Sequence, residues 1–583
     1  MTGSPFDLGR TDSDRGAGSP ALTALFWPLA LLAGYFAVVQ AAHAIYGSIA
    51  YLTPMVGEVD PVRSLSRAVY FLAVFALTFP LCALMARRGS SLAGIAEIAR
   101  AWLVRPGWRN WQIGVSLVLV LTAVWLLRAF PNSGDEYNYI FQAETFRHGH
   151  LWVPVPEHQD LFAFSHIFMK DGKWVSQYAP GWGAILALGG TIGLPYWIIN
   201  PLLAVGCLWA AWAVAKQRAG QAAGTAAVVL LGLSAFFIFT SASYFPHLAC
   251  ATFGMIFCWQ AERYRQAPAV RPALVMGLAL GVVGLIRPYD AVLFALPLAI
   301  ATLLQLKVAH LKYVLFVAAA GAPFLVATFF YNWSITGDPL FPVTNWGYPS
   351  YRLGFNPTDE AGRDFTWIET AHHAVSRVVL LGEWTSLPFL VLFVSSWAHL
   401  WRRGKLQPSD WVFPVFVAGY LLAPGFGGNQ YGPRYYFAAF PMMVLTCSTA
   451  IADWLGERWS ERESRFGVAL FVAHVLVALS AFAPIGYGVS RIVAERMHVY
   501  DLVDSAKLDQ AVVVLSAPVG VLHPMGPKDL TRNGIDLQGP VVYALARPGW
   551  EEALREMFPD RRMYLYTREI TSAWGRLTPL PPG

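Results

Sequence analysis

Two adjacent carboxylates follow directly on an apolar segment, in the stretch Pro131-Asn-Ser-Gly-Asp135-Glu136. A serine three residues before a glutamate is the pattern of a helix-capping box, so Ser133 and Glu136 predict the start of a helix without any chemistry. The box has no need of a second acid, which makes Asp135 the first candidate for a catalytic residue and Glu136 the second. A carboxylate in this role accepts or orients the proton of a hydroxyl group.

The residues that follow place polar side chains on one face of the predicted helix. Asp135, Asn138, Tyr139 and Gln142 are spaced by three, four and seven positions, and this spacing brings side chains to one side of an α-helix. Glu136 points about 100° away from them. A polar face beside an apolar segment suits a sugar or a hydroxyl acceptor, so Asn138, Tyr139 and Gln142 are predicted to bind substrate.

Two arginines near the ends of apolar runs are candidates for holding an anion. Arg287 lies in Arg287-Pro-Tyr-Asp290 between two such runs, where a charge is costly unless it is paired or used. Two interpretations stay open: an ion pair with Asp290 that fixes the turn, or a forked contact with a phosphate. Arg434 follows Pro433 at a predicted helix start, a place suited to anions; the alternative is an arginine that extends to the membrane interface.

Three weaker candidates complete the predicted site. Lys170 precedes a predicted hairpin turn at Asp171-Gly172 and is a further phosphate candidate. His247, at a helix end, and Tyr435, beside Arg434, are assigned to substrate binding. Loop histidines with neighbouring acids, among them His166 with Asp160, match no metal-ligand signature. No metal ligand is therefore predicted, although a divalent cation is left open as a cofactor.

The elements that must position these residues are membrane helices. Of the 583 residues, 56% are hydrophobic and 13% are charged, and apolar runs recur that approach the roughly 20 residues needed to cross a bilayer. The net charge of +6 does not indicate nucleic acid, because the basic residues are scattered through the loops. The sequence predicts an all-α polytopic membrane protein with about 13 transmembrane helices, near residues 22–45, 67–86, 112–130, 197–216, 222–240, 247–262, 272–287, 290–306, 311–330, 386–401, 411–424, 435–454 and 466–486.

The distribution of arginine and lysine predicts the orientation. With this set of helices, every basic cluster falls in loops on one side, which marks that side as cytoplasmic. The long polar segments 131–182, 331–385 and 487–583 then lie on the opposite face, which in a bacterium is periplasmic or extracellular. The predicted location is therefore a bacterial inner membrane, with the candidate site facing outward.

Four regions are predicted along the chain. Residues 1–21 are a disordered cytoplasmic tail, and residues 22–111 hold two N-terminal helices with a cytoplasmic loop. Residues 112–490 form the main membrane domain with the candidate catalytic loop 131–182. Residues 491–583 form a small extracytoplasmic α/β domain, with strands at 511–515, 541–546 and 563–567 and a helix at 550–557.

Several of these motifs, in this order, resemble the glycosyltransferase C superfamily. The resemblance covers about residues 112–450 and is carried by Gly134-Asp135-Glu136-Tyr137 with Tyr139, Tyr178-Ala-Pro180-Gly-Trp182, Arg287-Pro288, Asn332 with Thr336-Gly-Asp-Pro339, and Gly432-Pro-Arg434-Tyr435. The bacterial members that it resembles are grouped with protein O-mannosyltransferases and lipid A aminoarabinose or galacturonic acid transferases. The two helices before residue 112 depart from the family pattern.

The resemblance implies an enzyme that takes a sugar from a polyprenyl-phosphate carrier. In that family the first-loop aspartate, here Asp135, is implied to act as a base on the acceptor or to position it, and the partners are a lipid-linked donor and a lipid, glycan or protein acceptor. Inversion at the sugar carbon is expected. The alternative is a polytopic transporter or a flippase for lipid-linked sugars. It would need ionisable residues in mid-helix or paired broken helices, whereas the charges here collect near one face.

Overall fold

The computed structural model describes Cys82, Arg87 and residues 89–105, 107–304, 308–354, 365–428, 430–456, 462–516, 527–568 and 574–581. The predicted tail 1–21 and, apart from Cys82, the two predicted helices 22–45 and 67–86 lie outside the described residues. The described part is mostly helical. The α-helices of this part are α1 (Gly89–Val104), α2 (Trp108–Leu121), α3 (Gly134–Arg147), α4 (Pro180–Thr191), α5 (Tyr196–Gly232), α6 (Ala235–Ser241), α7 (His247–Gln266), α8 (Val270–Ile286), α9 (Pro288–Leu303), α10 (Val308–Thr336), α11 (Val343–Gly347), α12 (Trp367–Thr385), α13 (Leu387–Arg402), α14 (Val412–Gly419), α15 (Phe440–Trp454), α16 (Arg462–Ser505) and α17 (Trp550–Met557).

Several helices have the length and composition of membrane spans. Within the described ranges, five pass on their own: Trp108–Leu126, Tyr196–Gly232, Lys312–Thr336, Arg434–Trp454 and Glu463–Ser505. The α12–α13 pair, bent by 106°, makes a sixth if it is one broken span, and α8 and α9 are apolar but shorter. A multi-pass membrane protein is therefore supported, while the count of about 13 spans stays a prediction.

Two long helices differ from the predicted segments for local reasons. Helix α5 joins the predicted segment 197–216 to the first part of the segment 222–240, whose last residues lie in α6, and it is kinked at Ala219 and Gly220, where glycine takes a positive φ of 80°. Helix α16 continues well beyond residue 486, because Val499 and Val503 in its last turns pack against the C-terminal sheet. The predicted domain boundary at 490–491 therefore falls inside one continuous helix.

Polar clusters lie at opposite ends of the same helices. His247 is the first residue of α7. At the other end of α7, Glu262 forms an ion pair with Arg218 of α5. Asp453, in the last turn of α15, pairs with Lys405, and Arg434 lies just before the start of α15. At about 1.5 Å per residue these helices separate the two ends by roughly 20 to 30 Å, close to the thickness of a hydrocarbon core.

The segment between α3 and α4 folds into a small antiparallel sheet. Strands β1 (Val153–Pro154), β2 (Ile167–Lys170) and β3 (Lys173–Ser176) lie in the order β1-β3-β2. Asp171 and Gly172 make the two-residue turn with positive φ values of 51° and 72°, as the Asp-Gly pair predicts.

A small C-terminal α/β unit is present, as predicted. Strands β4 (Ala511–Ser516), β5 (Val541–Leu545) and β6 (Arg562–Arg568) are parallel, and β7 (Gly575–Pro579) adds an antiparallel edge, in the order β5-β4-β6-β7. One face of this sheet packs on the end of α16. The other packs on aromatic side chains of the 131–182 segment, including Phe141 and Trp174. Burial on both faces explains the unbroken apolar run of β4.

Candidate active site

Helix α3 begins where the sequence predicts, but only the Ser133 half of the predicted capping box is formed, because the Glu136 carboxylate binds other groups. Ser133 is the N-cap, and its hydroxyl accepts a hydrogen bond from the Glu136 backbone N–H at 3.2 Å. Gly134 lies against Ser165 and Asp529, and an added Cβ would come within 2.7 Å of Ser165 Cβ. The helix start is thus held close to a loop and to the C-terminal domain, and this places the first turn, with both acids, inside the protein.

Asp135 lies at the centre of a buried polar cluster. Its Oδ2 is 3.2 Å from Nη1 of Arg434, and each of the two side chains is 11% exposed. Its Oδ1 accepts a hydrogen bond from the Tyr178 hydroxyl and lies 3.4 Å from His166 Nε2. Both carboxylate oxygens therefore face cationic or proton-donating groups.

These partners decide the ionisation state of Asp135. Burial raises the pKa of a carboxyl group, but the charges of His166 and Arg434 and the hydrogen bond from Tyr178 outweigh it and lower the pKa of Asp135 to about 2. Asp135 is therefore an anion at neutral pH. Such a weak base orients a hydroxyl group or stabilises positive charge more effectively than it removes a proton.

The polar face of α3 surrounds this carboxylate. The Tyr139 ring stacks on Tyr178 with centroids 4.4 Å apart, and Asn138 Nδ2 donates to the Ser165 carbonyl at 3.3 Å. Gln142 Nε2 donates to the Tyr178 carbonyl and the Tyr331 hydroxyl, both at 3.0 Å. Within the described residues, Asn138 Oδ1 and Gln142 Oε1 are buried without a hydrogen-bond partner, so each has an acceptor to offer to a ligand.

Arg287 forms the ion pair that was one of its two predicted roles. Its Nε is 2.8 Å from Asp290 Oδ2, and its Nη2 donates to the Tyr420 hydroxyl at 2.7 Å. Its guanidinium also lies over the Tyr435 ring, 5.5 Å from the centroid. Burial and the Asp135 charge raise the pKa of Tyr139, while the charges of Arg287 and Arg434 oppose this; the two arginines thus act on one point of the site.

His247 lies beside the same two arginines. It is 2% exposed, its ring is 5.5 Å from that of Phe245, and both arginine charges act on it. In the part of the chain that the structure describes, neither of its ring nitrogens has a hydrogen-bond partner, and the same is true of Arg434 Nε. Unpartnered polar atoms at buried positions are costly, which marks this region as one suited to a polar ligand.

Glu136 and Lys170, two of the predicted site residues, point elsewhere. The Glu136 carboxylate accepts from the Tyr244 backbone N–H at 3.0 Å and from the Ser133 hydroxyl at 3.2 Å, and it is fully buried. Burial raises the pKa of Glu136 to about 7. Lys170 donates to the Trp346 carbonyl at 3.2 Å and lies over that ring. In this geometry Glu136 holds the Tyr244 backbone against the start of α3. The catalytic role of Glu136 and the phosphate contact of Lys170 stay predictions.

Metal ligands do not gather in the described ranges. No three histidine, cysteine, aspartate or glutamate side chains converge there as they would around an ion. His166 lies against Asp135 rather than with Asp160.

Sequence reasoning did not assign His166 and Tyr178 to Asp135. His166 and Tyr178 lie 31 and 43 residues after Asp135, and these separations match neither helix nor strand periodicity. His166 has a positive φ of 65°, uncommon for a residue with a side chain and a feature that recurs at functional sites.

A segment of the C-terminal domain holds this loop in place. Asp529 accepts a hydrogen bond from the Ser165 hydroxyl, one residue before His166. Thr531 Oγ1 donates to the Ala163 carbonyl at 2.9 Å. The Tyr137 hydroxyl of α3 donates to the Asn533 carbonyl. Residues 529–533 thus contact both segments that carry the Asp135–His166 pair.

Comparison with protein families and with curated proteins assigns no activity to the chain. A family described as a domain of unknown function (DUF7846) matches residues 511–580, the C-terminal sheet. No curated protein matches the chain.

Solved structures that are similar to the chain share little of its sequence. ArnT from Cupriavidus metallidurans, bound to undecaprenyl phosphate, is 12% identical over 81% of this chain and 98% of that chain, with a TM-score of 0.48. Oligosaccharyltransferase AglB from Archaeoglobus fulgidus, in complex with an inhibitory peptide and a dolichol-phosphate, is 10% identical over 79% and 70%, with a TM-score of 0.39. Arabinofuranosyltransferase AftD from Mycobacteria is 15% identical over 79% and 35%, with a TM-score of 0.42. These values are too low to transfer any activity to this chain.

Proposed function

We propose that this protein is an integral membrane glycosyltransferase that moves a sugar from a polyprenyl-phosphate carrier to an acceptor hydroxyl group. The observation that carries the proposal is the ionised Asp135, buried between Arg434 and His166 at one end of apolar helices. An anion for an acceptor and an arginine cation for a phosphate lie there side by side. A donor that dissolves in the bilayer accounts for a site at the ends of such helices.

Arginine side chains give the donor phosphate its place. Arg434 offers its Nε, which is buried without a hydrogen-bond partner among the described residues, and the equally unpartnered His247 ring adds one N–H donor. Arg287 adds a charge that Asp290 partly neutralises. The forked guanidinium of an arginine matches the oxygens of a phosphate. Arg434 is therefore the principal phosphate-binding residue, and Arg287 supports it.

The reaction is then a displacement at the anomeric carbon. The acceptor oxygen forms the new bond as the carbon–oxygen bond to phosphate breaks, and polyprenyl phosphate leaves with the electron pair. Asp135 orients the acceptor hydroxyl, whose proton passes through the carboxylate to solvent or to the departing phosphate. Because the pKa of Asp135 is about 2, the rate depends mainly on positioning and on stabilisation of the leaving phosphate. A single displacement inverts the configuration of that carbon.

The polar face of α3 supplies the sugar contacts. Asn138 and Gln142 each present an unpartnered side-chain oxygen in the described structure, which matches a hydroxyl donor. Tyr139 and Tyr435 contribute ring faces near the arginines. We further propose that residues 112–490 form the catalytic membrane domain and that the site faces the outside of a bacterial inner membrane, where nucleotide sugars are absent.

The test is transfer by the purified protein in liposomes that contain a radiolabelled polyprenyl-phosphate sugar. Wild-type protein is expected to release polyprenyl phosphate and to move the label to an acceptor. Asp135→Asn should lower the rate by about 10²- to 10⁴-fold while donor binding persists. The matched control is Glu157→Gln, which changes an exposed carboxylate of the same loop and should leave the rate unchanged.

Two outcomes would refute the proposal. Normal turnover by Asp135→Asn would remove Asp135 from the mechanism. Movement of intact donor across the bilayer, without cleavage of its sugar–phosphate bond, would show a transporter or flippase instead.

A further inference from the structure

A cleft of about 1000 Å³ lies between the 156–163 segment and the C-terminal domain. Its walls include Asp160, Arg547 and Trp550, the first residue of α17. This volume lies at the upper end of the range for small-molecule sites. None of the residues that line it belongs to the Asp135 cluster, and the predicted transfer chemistry does not use them.

The side chains of the cleft are those that recognise a ligand rich in hydroxyl groups. Acceptors come from Asp160, Glu552 and Glu556, and donors from Arg547 and Lys528. All five are exposed, while Trp550 is half-buried and packs on the core beneath the cleft. An indole held in this way offers a rigid face with negative charge density, which suits the C–H face of a sugar ring.

The balance of charge excludes some other ligands. Three carboxylates, Asp160, Glu552 and Glu556, oppose two cations, Lys528 and Arg547. A phosphate or another anion is disfavoured by the excess negative charge. Half of the lining residues are charged or polar, so a lipid chain would have to desolvate these groups.

The cleft and the Asp135 cluster share two segments of backbone. Ala163 lines the cleft, and His166, three residues later, contacts Asp135. Lys528 lines the cleft, and Asp529, the next residue, binds Ser165. Three residues extend at most about 11 Å. A ligand of several linked units held in the cleft can therefore extend to the reacting carboxylate.

We propose that this cleft binds the acceptor, and that the acceptor is a neutral glycan chain of several sugar units. The proposal rests on the proposed transferase function and adds to it the chemical class of the acceptor. The cleft holds inner units of the chain on Trp550 and its polar neighbours, and the chain end presents its hydroxyl group to Asp135. The C-terminal domain thus takes part in acceptor recognition as well as in holding the loop.

The test uses the full-length protein in nanodiscs and a ladder of neutral hexose and pentose oligosaccharides of increasing length. Binding is followed by saturation-transfer NMR. Affinity should rise with chain length in wild-type protein and fall at least about tenfold in the exposed double variant Arg547→Ala/Glu552→Ala. The matched control Glu551→Ala changes an exposed neighbour outside the cleft and should bind like wild type. Peptides containing serine and threonine, and phosphorylated sugars, are the competing probes.

Release of polyprenyl phosphate without added acceptor is measured on the same samples. The cleft variants should release it at the wild-type rate, because they leave Asp135 and Arg434 untouched. Three results would show that the glycan proposal is wrong while the transferase proposal stands, provided that wild-type protein cleaves the donor. Wild-type protein binds no neutral oligosaccharide, or the double variant binds it as well as wild type does. The third result is a preference of the wild-type protein for the peptides or the phosphorylated sugars. If glycans bind as expected but the donor is never cleaved, the transferase proposal fails instead.

Discussion

The Asp135–Arg434 pair allows a catalytic role to be separated from a structural one. The two charged atoms are 3.2 Å apart, and both side chains are nearly buried. At an effective dielectric constant of about 20, two unit charges at this distance attract by about 5 kcal/mol. Removal of one partner of a buried pair leaves the other charge uncompensated and costs about 3 to 5 kcal/mol, whereas removal of both can be nearly neutral.

The perturbation is a double-mutant cycle of Asp135→Asn, Arg434→Gln and the two together. Each single variant should lose about 3 kcal/mol of free energy of unfolding, and the double variant should regain at least half of the summed loss. Unfolding is followed in detergent with increasing denaturant, and sugar transfer is measured in liposomes. Transfer should be lost in all three variants, because neutralising both partners restores stability but supplies neither the oriented carboxylate nor the phosphate cation.

The pH dependence of unfolding gives an independent check. The partners lower the pKa of Asp135 from 3.8 to about 2, so the folded state binds this proton less tightly than the unfolded chain does. The resulting stabilisation is fully present above about pH 4 and is lost as the pH falls toward 2, and it amounts to about 2 kcal/mol. Asp135→Asn should not show this loss of stability at low pH.

Two results of the double-mutant cycle would refute the reasoning. The double variant could transfer sugar at the wild-type rate, or it could be no more stable than either single variant.

Three further changes test the surroundings of the site. Burial raises the pKa of Glu136 from 4.5 to about 7, so its neutral form stabilises the fold fully below about pH 4.5, and this contribution is lost as the pH rises through 7. Glu136→Gln should therefore raise the melting temperature above pH 7. Equal dependence of the melting temperature on pH in the variant and the wild type would contradict this. Asp529→Asn weakens the bond to Ser165 and should lower kcat several-fold, up to about tenfold, at unchanged donor KM in steady-state assays, whereas a change in KM alone would argue against a positioning role. Gly181→Ala places a Cβ 2.7 Å from the Ile286 backbone nitrogen and should cost about 1 to 3 kcal/mol in denaturant unfolding, and an unchanged midpoint would show that α4 and α8 can separate.

Local patterns predicted local structure well. Ser133 caps α3, Asp171-Gly172 makes the hairpin turn, and the C-terminal strands lie where alternating and apolar runs indicate. Each of these features depends on residues within a few positions of one another, so their physical causes are visible in a short window. The edge strand β7 was not predicted, because Gly575–Pro579 is a short run with a single large apolar residue, and its pairing with β6 is set by tertiary structure.

The contacts of the candidate site were beyond such patterns. Arg434 was predicted to bind phosphate from its place before a helix, but nothing near it in sequence points to Asp135, its partner 299 residues away. His166 was considered only with the nearby Asp160, since chain neighbours are the first partners that a sequence suggests. The role of Asp529 depends on the C-terminal domain folding back onto the loop, and this docking leaves no local signature.

The two acids in the first turn of α3 are neighbours in the chain but have opposite properties. A rotation of about 100° per residue turns Asp135 toward Arg434 and His166, and turns Glu136 toward the backbone of Tyr244. Burial acts on both carboxyl groups, but only Asp135 is in direct contact with Arg434 and His166, so the pKa values of the two acids separate to about 2 and about 7. Environments that separate the pKa values of two acids also separate their roles. Asp135 therefore keeps a fixed negative charge at every physiological pH, while the charge of Glu136 varies near neutrality. A transferase that relies on orientation by an anion needs the first property, which Glu136, buried without a cation in direct contact, cannot supply.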